Sequence, residues 1–137
     1  MIVFLSCVKS KRDSPCAARD MYTSDLFQKS LAYAMQLKPR KVYILSAKYG
    51  LLELDDQIEP YNQTLNKMNE EKKKEWAYKV CKQCELKGIS YFEEAIFLCG
   101  NNYRKYLMRK FKNAHAPLGN MGIGKQLAYY KNNTVRK

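Results

Sequence analysis

Met1-Ile-Val-Phe-Leu-Ser-Cys-Val8 and Lys41-Val-Tyr-Ile-Leu-Ser46 decide the fold. Each is an unbroken β-branched and aromatic run that stops at a serine beside a small residue. Apolar runs without alternation suit strands covered on both faces, which places both in a parallel sheet. In open α/β sheets ligands bind outside the carboxyl ends of the strands. Ser6 and Cys7 stand at the end of the first run with Lys9 and Lys11 beyond it, and Ser46 ends the second, with Ala47, Lys48, Tyr49 and Gly50 beyond it. Two such ends predict one cleft for an anionic, phosphorylated ligand.

The pattern around these runs alternates. Thr23 or Ser24 caps a predicted helix over 24–37, and Asn69 caps a strongly amphipathic one over 70–87 that ends at Gly88. Trp76 reads as a core anchor of that second helix. A third strand, 95–99, stops at Gly100. A helix over 101–112, a short strand over 113–117 and a last helix to about 131 complete the series. The segment 47–67 has no clean period, and a loop of that length in a small domain is more often functional than idle. The order predicts a three-layer α/β/α domain over 1–131 with a mainly parallel sheet of about four strands, followed by a loose basic tail, 132–137.

Composition narrows the class. A chain of 137 residues suits one domain, and 46% apolar residues with eleven tyrosines argue against disorder. No stretch approaches the roughly 20 apolar residues of a membrane helix. The chain opens on a strand without a basic leader, so a cytoplasmic protein is expected. The net charge is +12, and residues 101–137 hold nine Lys or Arg and no acid. Such a surface favours nucleic acid or another polyphosphate; a simple solubilising surface is the equal alternative. Five cysteines without a leader argue against a disulfide framework. Cys81 and Cys84 form a CxxC on one helix face, without the further ligands zinc needs, so packed thiols are expected and no metal or cofactor.

Candidate chemistry gathers at the predicted strand ends. Gly119, Gly122 and Gly124, before Lys125, precede a helix, where backbone amides can approach a phosphate. The spacing fits neither GxxxxGK[ST] nor GxGxxG, and a tight structural turn is the alternative. Cys7 beside lysines would have a lowered pKa if exposed, although a small buried residue is the commoner case. Tyr49 and Tyr61 could stack on a base or bond into the core. With one histidine, His115, neither a Ser-His-Asp triad nor a two-His metal site can be built. Lys105, Arg109 and Lys112 share one face of the predicted 101–112 helix and could hold a nucleic-acid backbone.

Five blocks in order resemble an uncharacterised bacterial and phage domain family: Ser6-Cys-Val-Lys-Ser-Lys11, Ala18 to Phe27 with Asp20 and Tyr22, Ile44 to Leu52, Pro60 to Leu65, and Pro117-Leu118 with Gly122 to Gln126. More remotely, the first block and the LSAKYG run are similar to the glycosylase-like accessory domain of archaeosine synthases and to the uracil-DNA-glycosylase superfamily. That likeness implies a three-layer α/β fold acting on a nucleobase N-glycosidic bond. It would make Glu59, in Glu59-Pro60-Tyr61, or Asp20 the carboxylate near the sugar. Here the carboxylate is Glu, the Gly-Gln before it is missing, and the block follows the second strand. The expectation is therefore a glycosylase-like enzyme directed at a nucleotide or nucleic acid. The alternative is a non-catalytic nucleotide- or DNA/RNA-binding protein using the same anion pocket.

Overall fold

The computed structural model describes residues 1–7 and 11–135. The strands are β1 (Ile2–Ser6), β2 (Cys16–Ala17), β3 (Lys41–Ser46), β4 (Gly50–Glu53), β5 (Gln57–Ile58), β6 (Ala95–Leu98) and β7 (Ala114–His115). The helices are α1 (Ala18–Met21), α2 (Asp25–Gln36), α3 (Glu70–Leu86), α4 (Asn101–Arg104) and α5 (Ile123–Asn133). The main sheet has the order β4-β3-β1-β6-β7, parallel except for β4 at its edge. The four strands read from the sequence are the parallel ones. The fifth, β4, arises in the aperiodic 47–67 segment, which also contains β5, paired to β2, and a single 3-10 turn over Leu65–Lys67.

Local chemistry sets the element ends. Ser24 Oγ accepts the Phe27 amide at the start of α2, and Asn69 Oδ1 accepts the Lys72 amide at the start of α3. Gly88 closes α3 at φ +72°, with the Ile89 amide reaching back to the Cys84 carbonyl, a turn that a β-carbon would oppose. The predicted helix over 101–112 is corrected: α4 ends at Arg104, and Met108–Lys110 forms a 3-10 turn. The chain must become extended here, because the Lys112 amide bonds the Tyr91 carbonyl and Asn113 feeds β7 into the sheet. Lys105, Arg109 and Lys112 therefore do not share a helical face.

The crossover from β1 to β3 and the one from β3 back past β1 to β6 run in opposite directions. Right-handed connections then put α2 and α3 on opposite faces of the sheet. α5 returns to pack on α2, and α4 lies beside α3. Tyr43, Phe4 and Phe97 stand in register across β3, β1 and β6, with Phe4 stacked on Phe97 at 4.8 Å and capped edge-on by Phe111 at 5.6 Å. Trp76 is buried as a core anchor, and its Nε1 donates to the Ser46 carbonyl at 2.9 Å. Among the described residues no helix is long and apolar enough to cross a membrane.

Glu53 at the outer edge of β4 bonds Lys41 at 2.6 Å and Lys87 at 2.9 Å, tying β3, β4 and the end of α3 together. These two hydrogen bonds hold its carboxyl down at about 2, below the ordinary 4.5. A depressed carboxyl stabilises the fold above its unfolded value and loses that contribution as pH falls through its folded one. The site is about a third exposed, so the solvent-screened pair is worth ~1 kcal/mol at most. Glu53→Gln should lower Tm by about 3 °C at pH 7. Thermal melts across pH should show the gap closing as pH 2 is approached; a gap independent of pH would contradict the assignment.

Candidate functional site

In the parallel part of the sheet the chain moves from β1 to β3 on one side and then back across β1 to β6 on the other. The β1/β6 boundary is the point where strand order reverses, and crevices form there at the carboxyl ends. A cavity of about 890 Å³ opens at this place. Cys7, immediately after β1, and Tyr103, on α4 after β6, form its buried floor. The Cys7 thiol donates to the Tyr103 hydroxyl at 3.3 Å, and the Leu65 amide donates to the same oxygen at 3.4 Å.

The walls differ in chemistry because they come from different layers. Leu26 of α2 with Ile123 and Leu127 of α5 make an apolar wall. Asn62, Gln63, Thr64 and Asn66, from the segment joined to α4 through Leu65 and Asn102, make a polar one. Lys11 and Lys67 bring positive charge, and Asp25, paired with Lys29 at 2.6 Å, is the one acid in the lining among the described residues. α5 starts at Gly122 without a side-chain cap. A β-carbon at Gly122 or Gly124 would meet open space, so no packing constraint calls for glycine there.

Beside the cavity lies a chain of buried hydroxyls. The Tyr49 amide donates to Ser46 Oγ at 3.0 Å, Ser46 Oγ donates to the Tyr61 hydroxyl at 2.8 Å, and the Tyr61 and Tyr22 hydroxyls are 2.6 Å apart. Tyr61 accepts from Ser46, and one of the two phenols donates to the other. Burial pushes the Tyr22, Tyr61 and Tyr103 phenols above the ordinary range, so all three are neutral at physiological pH. Lys11 stands over the Tyr61 ring at 4.6 Å, placed by a bridge that pairs it with Tyr22. Burial lowers its pKa, with the Cys7 thiol opposing.

The residues singled out from the sequence fall into three groups. Cys7 and Lys11 line the cavity; Ser6 precedes it; Gly100 and Gly122 begin the helices that carry Tyr103 and Ile123, with Gly124 in the first turn of α5. Tyr22, Ser46 and Tyr61 form the hydroxyl chain, with Tyr49 packed edge-on against Tyr61 at 5.7 Å. The rest lie elsewhere. Glu59 is exposed and bonds Tyr49 through its backbone; Asp20 is exposed on α1 with its carbonyl bonded by Arg12. Ala47 is buried, and Lys48 is exposed with its carbonyl held by Lys79. Gly50 sits at φ +77°, where a β-carbon would collide with the Gln83 amide that bonds Leu51 and Tyr49, which is a packing reason for glycine. Gly119 gives its carbonyl to the buried Arg104. Lys105, Arg109 and Lys112 are outside the lining, and Lys9 lies outside the described residues.

Tyr103, Thr64, Leu26 and Ile123 carry the cavity without standing out as site residues in the sequence. The block Pro60 to Leu65 is the available signal for Thr64. Arg104, whose guanidinium bonds the Cys99 carbonyl at 2.7 Å and so joins the β6 end to the Gly119 turn, gives no signal in sequence. Among the described residues no group of three or more His, Cys, Asp or Glu is arranged to hold a metal. Cys81 and Cys84 are buried, and burial pushes the Cys84 thiol up to about 12.

Tyr61→Phe removes the middle hydroxyl and strands two buried partners, at a cost of roughly 1–3 kcal/mol. Urea denaturation should show Tyr22→Phe adding much less in the Tyr61→Phe background than alone. Strict additivity would mean that the chain is not coupled.

No curated protein and no solved structure matches the chain. The comparisons give the glycosylase likeness no support. The profile of a family of unknown function matches residues 2–132, nearly the whole length, in agreement with the resemblance to an uncharacterised domain family. The chain belongs to that family of unknown function, DUF6884.

Proposed function

We propose that this protein binds a nucleotide in the cavity at the β1/β6 boundary. The observation that carries the reading is the make-up of that cavity: about 890 Å³ at the carboxyl ends of parallel strands, apolar on one side, amide and hydroxyl on the other, with lysines at its edge. The volume suits a ligand of nucleotide size. A flat base lies against Leu26, Ile123 and Leu127, and a base edge with adjacent donor and acceptor groups meets Asn62 and Gln63. Neither of those amide side chains is engaged in a hydrogen bond among the described residues. The phosphate meets Lys11 and the uncapped start of α5.

A narrower reading is hydrolysis of the bound nucleotide at its N-glycosidic bond: the C1′–N bond breaks, water adds its hydroxyl to C1′ and its proton leaves on the base. An oxocarbenium-like sugar is stabilised by a nearby anion. Asp25 is the acid that supports this step, since it lines the cavity and Glu59 and Asp20 do not. Release of free base, followed by mass spectrometry, should then fall with Asp25→Asn and not with Glu59→Gln.

Binding itself is tested by thermal shift with adenosine and uridine 5′-monophosphates and with ribose 5-phosphate. A ligand at 100 times its Kd should stabilise the fold by ~2.7 kcal/mol. Lys11→Met should weaken nucleotide binding by about tenfold or more, the loss of a charge-assisted bond. No stabilisation by either nucleotide at millimolar concentration, or equal affinity in Lys11→Met, would contradict the proposal.

A further inference from the structure

The polar wall of the cavity continues outward as a bonded surface. Asn66, in the lining, accepts from the Asn102 amide at 2.7 Å, and Asn102 accepts from Lys73 at 3.1 Å. Lys73 also bonds Glu70 at 3.1 Å, and Glu70 pairs with Lys105 at 2.7 Å and bonds the Tyr106 hydroxyl. Around the Tyr106 ring stand Lys74 at 5.6 Å, Lys105 at 5.2 Å and Arg109 at 5.1 Å. Four cations thus share one carboxylate and one phenol. Among the described residues Lys74 and Arg109 pair with no acid, so the patch keeps a positive excess. Of the other acids at the start of α3, Glu71 stands three residues before Lys74 on a neighbouring helix position, and Lys73, Lys74, Lys105 and Arg109 still outnumber Glu70 and Glu71. Contact with an aromatic face holds the long cationic side chains in place.

A mononucleotide has one phosphate group and uses only the cavity. A second cluster of cations, held round the Tyr106 ring and joined to the rim through Asn66, Asn102 and Lys73, matches a ligand with phosphates beyond the first. We infer that the ligand is one nucleotide of a single-stranded polynucleotide, whose backbone leaves the cavity past Asn66 and crosses the Lys74–Lys105–Arg109 patch. This inference rests on the nucleotide reading of the cavity and adds its partner. A single strand is the form whose bases are already free to enter a pocket.

The test uses the full chain and fluorescence anisotropy with labelled 12-nucleotide single strands of mixed sequence, as DNA and as RNA, together with a duplex of the same length. Single strands should bind at least tenfold tighter than a mononucleotide and tighter than the duplex, with affinity falling steeply as salt rises. Lys74→Ala with Arg109→Ala spares the Glu70 ion pairs. It should reduce the log–log salt slope by ~1.4, about 0.7 for each single-strand phosphate that is no longer neutralised, and leave mononucleotide binding unchanged. Single strands no tighter than a mononucleotide, duplex preference, or an unchanged slope in the double variant would each overturn the inference while leaving the cavity reading intact. A mononucleotide that does not bind at all would remove the cavity reading and this inference with it.

Discussion

A β-strand twists right-handedly, and a crossover that packs back on its own sheet is right-handed for the same reason. Here that constraint acts twice, once from β1 to β3 and once from β3 back past β1 to β6. Because β3 and β6 lie on opposite sides of β1, their crossover helices α2 and α3 are forced to opposite faces. The two layers separate at the β1/β6 carboxyl ends, and the cavity is the space between them. Its two-sided chemistry follows, since Leu26 and Ile123 arrive with one layer and Tyr103 and Asn66 with the other.

Holding that space open requires a rim that does not collapse. The Ser46, Tyr61 and Tyr22 hydroxyls supply one fixed side, each polar atom buried and partnered, which makes them costly to separate. Trp76 ties the same strand end to α3, and Arg104 ties the β6 end to the turn before α5. Side chains from α3, from α4 and from the loops that hold Tyr22 and Tyr61 thus fix the strand ends, and the groups that face the open volume, Thr64, Leu26 and Leu127, are only partly buried.

Much of this fold was legible because the strands of the parallel sheet are unbroken apolar runs and the long helices begin at Ser24 and Asn69. What was not legible depends on pairing at a distance. β4 is an edge strand whose hairpin is set by Gly50 and by the Gln83 amide from α3, a contact 34 residues from Tyr49. The 101–112 segment has helical periodicity, and tertiary pairing of Lys112 and Asn113 overrides it. Of the residues at the strand ends, Cys7 and Lys11 line the cavity, and Lys48 lies outside that lining with its side chain exposed. Of the two readings open for Tyr61, stacking on a base or bonding into the core, the structure has the second, because Ser46 offers it a buried partner. Leu26, Ile123 and Leu127 carry no sequence signal of a cavity, since nothing in a single sequence separates an apolar wall from an apolar interior.

Amide chemical shifts report directly on where a ligand sits. A 15N–1H titration of the protein with a nucleoside monophosphate should move the resonances of Cys7, Thr64, Tyr103 and Ile123 together, with one common saturation curve. If the saturable changes fall instead at the other pole of the sheet, around Arg40, Glu53 and Asp56, the crevice at the β1/β6 boundary is not the binding site.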